Sequence, residues 1–175
     1  MSQRTLVKWL HWLSFGVILY FFAVEPEDIP SDPAAGLSLH AGMGLILAIV
    51  GVVWTVLYLA KGLTGRPGPK LPGWAKTIHP IGHKVLQIGV PVVVASGAIA
   101  GLAAPFVIHA FGSIPINPGF GGKGIHDFAQ EVHELVFDGL ILLIASHVVF
   151  HLWRHFWLKD NALRIMMPRI LHKYL

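Results

Sequence analysis

The chain has 175 residues, of which 54% are hydrophobic and only 13% are charged, and its formal net charge is +4. Since about a quarter of the residues in an ordinary soluble domain are charged, this composition argues against a soluble protein and indicates a membrane protein. The absence of cysteine excludes disulfides, iron–sulfur clusters and any haem that is held by a thiolate or attached through a C-x-x-C-H motif.

Four apolar stretches are each long enough to cross the hydrocarbon core of a bilayer, which takes about 20 residues. They run approximately from Val7 to Val24, Leu37 to Ala60, Gly82 to Phe111 and Gln130 to Leu158. The first has a basic start, as a signal peptide does, but it lacks a convincing small-x-small cleavage site, and we therefore expect a retained helix. The sequence predicts one domain over residues 1–175, an all-α, integral-membrane four-helix bundle.

Basic residues indicate how this bundle is oriented. They precede the first span, fill the connection between the second and third spans, and follow the fourth, whereas Lys123 is the one basic residue in a loop on the opposite side. By the positive-inside rule, both termini are predicted to lie on the cytoplasmic side of the inner membrane. The same asymmetry explains the positive net charge and gives no reason to expect binding to nucleic acid.

The apolar spans contain several histidines inside them or at their edges, among them His11, His40, His133 and His147. An ionisable side chain in lipid is costly and needs a partner, so each is a candidate functional residue. His133 and His147 lie 14 residues apart, which places them on nearly the same helix face and about 21 Å apart along the axis. Because successive spans alternate in direction, His40 is predicted at the depth of His133, and His11 at the depth of His147.

Two depth-matched pairs of imidazoles predict two b-type haems, with His40 and His133 as axial ligands near the outer surface and His11 and His147 near the inner one. An iron closed by two histidines favours electron transfer over oxygen binding. The alternative, that some of these histidines only form hydrogen bonds between helices, is weaker for four matched residues than for one. His151 lies one turn after His147 on the same face and is an alternative inner ligand.

Motifs spread over nearly the whole chain carry a family resemblance. They are LHWL at 10–13, LHAGMG at 39–44, HPIGH at 79–83, HE at 133–134, and WLKDNALRIMMP at 157–168, the most specific. With these motifs the chain resembles the bacterial cytochrome b561 family of small di-haem membrane proteins. The resemblance implies a four-helix bundle with two b haems, whose ligands fall on the same four histidines.

The resemblance also implies a function, because members of this family move electrons between the quinone pool and an outer partner. It implies transfer between ubiquinone and a periplasmic donor, either a small molecule or a protein. One type looks like a superoxide oxidase, which would make this chain a superoxide:ubiquinone oxidoreductase. This chain differs from the superoxide oxidase type in two features. Trp54 stands where such relatives often have arginine, and the outer loops are net acidic, with Lys123 as their cation, so they would not attract an anion.

Residues near the inner surface are candidates to supply protons and hydrogen bonds to a bound quinone. These candidates are His79, His83, Lys84, His151 and Arg154. Two other functions remain open: a non-catalytic haem b subunit docked to a dehydrogenase or hydrogenase, and a histidine-rich metal-ion transporter without haem. A reduced-minus-oxidised absorption spectrum distinguishes the transporter from either cytochrome.

Overall fold

The computed structural model describes residues 3–26, 33–62 and 68–174. The acidic loop residues 27–32, which contribute to the predicted outer charge, lie outside the described residues. Four long helices dominate the fold: α1 (Gln3–Ala23), α2 (Pro33–Lys61), α3 (Gly73–Leu102) and α4 (Lys123–Phe156). Each of the four is long and apolar enough to cross a membrane. The predicted helical membrane fold is therefore confirmed.

Helix α3 differs from the predicted third span at both ends. It begins at Gly73, directly after an extended Pro72, and it ends at Leu102 instead of continuing to Phe111. Pro80 and Pro91 lie inside α3, so a proline does not by itself end this helix. The helix ends two residues before Ala104, whose helical conformation is disfavoured by the following Pro105. Helix α4 likewise begins at Lys123, ahead of the predicted boundary at Gln130.

The sequence after α3 forms a β-hairpin. Its first strand replaces the predicted end of the third span, whereas its second strand lies beyond the predicted boundary at Phe111. Strand β1 (Val107–Ala110) pairs antiparallel with β2 (Ile114–Pro118). The hairpin is attached to the start of α2, since the backbone N–H of Phe111 donates to Ser38 O at 3.1 Å. We call this end of the bundle, with the starts of α2 and α4, the hairpin side.

The C-terminal segment folds back across the opposite end, which we call the tail side. It contains α5 (Ala162–Met166) and a short 3-10 helix, η1 (Arg169–Tyr174). Arg154 and Asp160 form an almost fully buried ion pair at 2.8 Å, and the second oxygen of Asp160 accepts the Ala162 N–H. The indole N–H of Trp12 donates to Met166 O at 3.0 Å. These contacts hold the tail against the end of α4 and against α1.

An apolar layer lies midway along the bundle. Its buried residues come from all four long helices: Val17 and Ile18 from α1, Leu47 from α2, Val93 from α3 and Leu140 from α4. Large apolar side chains also cover much of the outward surface of these helices, as expected for surface that faces lipid. The buried layer separates the histidines of the hairpin side from those of the tail side.

Candidate functional site

The hairpin side brings together His40 of α2 and His133 of α4. Their ring centroids lie 6.3 Å apart, and the ring planes are nearly perpendicular, at 88°. Two imidazoles that share one metal, each with a nitrogen about 2 Å from it, have ring centres about 6 Å apart. The observed separation therefore fits one metal between the two rings, which is the arrangement of a bis-histidine haem.

Ser96 of α3 determines which nitrogen of His133 is available to a metal. Its Oγ lies 3.0 Å from His133 Nδ1, and it donates its hydrogen to Val93 O at 2.9 Å. A hydroxyl has only one hydrogen, so Ser96 accepts from the ring, and His133 carries its proton on Nδ1. The lone pair of Nε2 is then free. Metal-bound histidines commonly donate their second ring N–H to a neighbouring acceptor in this way.

Gly97, the neighbour of Ser96, makes room for the His133 ring. A Cβ atom at this position would lie only 2.8 Å from His133 Cε1. Gly42, two residues after His40, similarly permits close contact with the ring of Phe111 in the hairpin, which a Cβ would meet at 2.5 Å. The two glycines thus let a helix and the hairpin pack directly beside the predicted ligands.

The tail side contains a cavity of about 500 Å³, a size typical of cofactor and small-molecule sites. His11 of α1 and His147 of α4, the predicted inner ligands, both line it. The Trp54 ring, from α2, also lines the cavity, with its centroid 6.3 Å from that of His11. The C-terminal segment, including Met166, forms part of the cavity wall. The imidazoles and the space between α1 and α4 are suited to a second bis-histidine haem.

Three of the other histidines also line this cavity, namely His79, His83 and His151. The Nε2 atoms of His83 and His151 are 3.3 Å apart, and the His147 ring lies beside both, with centroid distances of 5.0 Å and 4.4 Å. His151 therefore has a polar partner on α3. Because His151 contacts His83, His147 is the better candidate for the inner ligand that pairs with His11.

The charged candidate residues lie in different surroundings. Arg154 lines the cavity, but its guanidinium is held by Asp160. Lys84 is exposed and is absent from the cavity lining. On the hairpin side, Lys123 forms a surface ion pair with Asp127 at 2.7 Å, so the predicted outer cation lies directly beside a carboxylate.

Sequence reasoning missed Ser96. Small residues in a membrane helix most often serve helix packing, and nothing in the local sequence distinguishes Ser96 from the other small residues of α3. Ser96 contacts His133 because the two residues lie at the same depth on neighbouring helices. A comparison of depths between helices could have suggested this contact.

Comparison with known proteins agrees with this arrangement. The chain matches the model of a protein family described as prokaryotic cytochrome b561, over residues 2–169. It is also 26% identical, over 168 residues, to cytochrome b561 homolog 2 of Escherichia coli (strain K12). That alignment covers 91% of this chain and 87% of the relative. The matched range includes all the histidines discussed above.

Proposed function

The chain belongs to the prokaryotic cytochrome b561 family, and from this premise we propose that it is a di-haem cytochrome that passes electrons between a donor on the hairpin side and ubiquinone on the tail side. The family implies electron transfer through b-type haem in a membrane. The number of haems, the ligands, the quinone and the direction across the membrane are our proposal, with the hairpin side facing the periplasm and both termini in the cytoplasm of a bacterial cell.

His40 and His133 bind one haem in this proposal, and His11 and His147 bind the other. The observation that carries it is the close approach of the His40 and His133 rings across the bundle, with centroids 6.3 Å apart and nearly perpendicular planes. When bound by two imidazoles, the haem iron supplies one-electron redox chemistry with no position left for oxygen. The protein provides ring nitrogens at two depths and an apolar layer between them.

The tail-side histidines handle protons in the same proposal. Reduction of one ubiquinone to ubiquinol takes two electrons, which two bound haems would supply, and two protons, which the residues of this chain would have to deliver. His79, His83 and His151 line the cavity, and their ring nitrogens can donate or accept protons and hydrogen bonds toward a bound quinone. Arg154, fixed by Asp160, adds a positive charge at the same wall.

The proposal is tested with purified, tag-free protein in detergent. We expect b-type bands in the reduced-minus-oxidised spectrum, two haems per chain by pyridine haemochrome assay, and rapid reoxidation of the reduced protein on stopped-flow mixing with a short-chain ubiquinone. A colourless protein, or haems that stay reduced with quinone in excess, would contradict it.

A docked protein donor is the second candidate for the hairpin side, in which case the chain is a non-catalytic electron-transfer subunit. The pairing of Lys123 with Asp127 and the exposed apolar side chains Phe111 and Ile114 of the hairpin favour it over a small anion such as superoxide. Stopped-flow mixing of the oxidised protein with superoxide separates the two: haem reduction supports the small-molecule donor, and no reduction supports the docked subunit.

Ser96 provides a prediction that depends on the ligand assignment. We expect Ser96→Ala to weaken retention of the haem held by His40 and His133 by about ten- to a hundred-fold, as loss of a partner to a ligating histidine does. We also expect a higher midpoint potential for that haem, because a ring whose Nδ1–H has no acceptor donates less electron density to iron. Haem transfer to apomyoglobin and a spectroscopic redox titration measure the two effects.

Ser146→Ala is the matched control for this experiment. Its Oγ donates to Leu142 O within α4, at 2.8 Å, and is exposed. Both haems should be retained as in the unaltered protein. Equal behaviour of the Ser96 and Ser146 variants would show that Ser96 does not orient a ligand.

A further inference from the structure

His79, His83 and His151 form a compact cluster beside the proposed inner haem ligands. One ring nitrogen of each lies within 4.8 Å of those of the other two. His79 and His83 are one turn apart on α3, so they share a face, and His151 approaches them from α4. The three rings lie at the junction of these two helices, on the wall of the tail-side cavity.

At least one ring nitrogen of this cluster has no hydrogen-bond partner in the described part of the chain. The Nε2 atoms of His83 and His151 contact each other at 3.3 Å, which accommodates one shared hydrogen. The Nδ1 atom of His79 is buried and has no hydrogen-bond partner among the residues that the structure describes, a costly state for a polar atom. Neutral imidazole lone pairs that converge in this way are the donors preferred by zinc, copper and nickel.

We propose that His79, His83 and His151 bind one divalent transition-metal ion, for which Zn²⁺ is the simplest probe. In a tetrahedral site with zinc–nitrogen distances of about 2.0–2.1 Å, neighbouring nitrogens are about 3.3 Å apart. The distance between His83 and His151 already has this value, and the donor nitrogen of His79 lies within 4.8 Å of both. The fourth position faces the cavity and is open to water.

This site does not use the proposed haem ligands His11 and His147, but it uses the three imidazoles to which the proposed function assigns proton transfer. A metal bound there would therefore withdraw these rings from that role. Arg154 is the cation nearest to the cluster in the cavity wall, and its charge is compensated by Asp160 at 2.8 Å. No carboxylate is found among the described residues that line the cavity. The ligand set is therefore three neutral imidazoles, which matches the three-histidine zinc sites that keep an open position.

The test uses the haem-loaded full chain without a polyhistidine tag, dialysed against Zn²⁺ and analysed for zinc and iron. We expect one tightly bound zinc per chain. His79→Gln and His83→Gln should each weaken zinc binding by more than about tenfold, since loss of a direct ligand costs at least as much as loss of its supporting partner. His109→Gln, in the exposed β1 strand of the hairpin, is the control and should bind zinc normally.

Haem content and zinc content are measured separately. Absence of zinc binding by the unaltered protein with haem retained would therefore contradict only this proposal, and absence of haem would contradict the cytochrome proposal. Zinc-edge X-ray absorption of the unaltered protein gives a readout that needs no variant, with three imidazole nitrogens expected at about 2.0–2.1 Å. Undiminished zinc binding by His79→Gln and His83→Gln, or a zinc shell made only of oxygen, would overturn the assignment and indicate an adventitious surface ion only.

Discussion

Replacement of His133 by alanine is expected to halve the haem content of the purified protein, from two haems per chain to one. His133 faces His40 across the bundle at a ring separation of 6.3 Å, and Ser96 holds its proton on Nδ1. Without the imidazole, one axial position of the outer iron is lost, and the methyl group of alanine offers no substitute donor. The pyridine haemochrome assay, related to protein concentration, gives the ratio directly.

His40→Ala should give the same loss, because each haem in the proposal needs both of its histidines. His126→Ala is the matched control on the same helix, since the Nδ1 atom of His126 is engaged with Ala100 O at 3.0 Å away from the predicted ligands. It should retain both haems. Full haem content in both His40→Ala and His133→Ala would show that these two residues do not bind a haem.

The sequence predicted the helices well because hydropathy over about 20 residues reports directly on the bilayer. Depth could also be predicted, since alternating helices and a rise of about 1.5 Å per residue place each histidine along the membrane normal. This argument put His40 at the level of His133, and the two rings lie side by side. Their action as haem ligands remains a prediction, as does that of His11 and His147.

Other features were not predictable, for physical reasons. The β-hairpin begins at Val107, and a window average of hydropathy does not distinguish an apolar strand from an apolar helix. The C-terminal wall of the tail-side cavity is held by a hydrogen bond from Trp12 to the backbone oxygen of Met166, and a carbonyl group has no sequence signature. The convergence of His79 and His151 depends on how α3 packs against α4, which neither helix specifies alone.

Replacement of His147 by alanine is expected to remove the inner haem, whereas His151→Ala is expected to retain it. His147 lies on nearly the same face of α4 as His133, and it lines the same cavity as His11. His151 also lines that cavity, but its Nε2 already contacts His83 Nε2 at 3.3 Å. Use of His151 as the axial ligand would break this contact, so the structure favours His147.

The His151→Ala variant also separates the two sites that share the tail-side cavity. It should keep two haems per chain and lose most of its affinity for zinc, while His147→Ala should show one haem with zinc binding largely preserved. Haemochrome and zinc analysis of the same two samples provide both numbers. If His151→Ala lost the haem and His147→Ala kept it, the inner ligand would have to be reassigned to His151, and the zinc site would lose its only donor from α4.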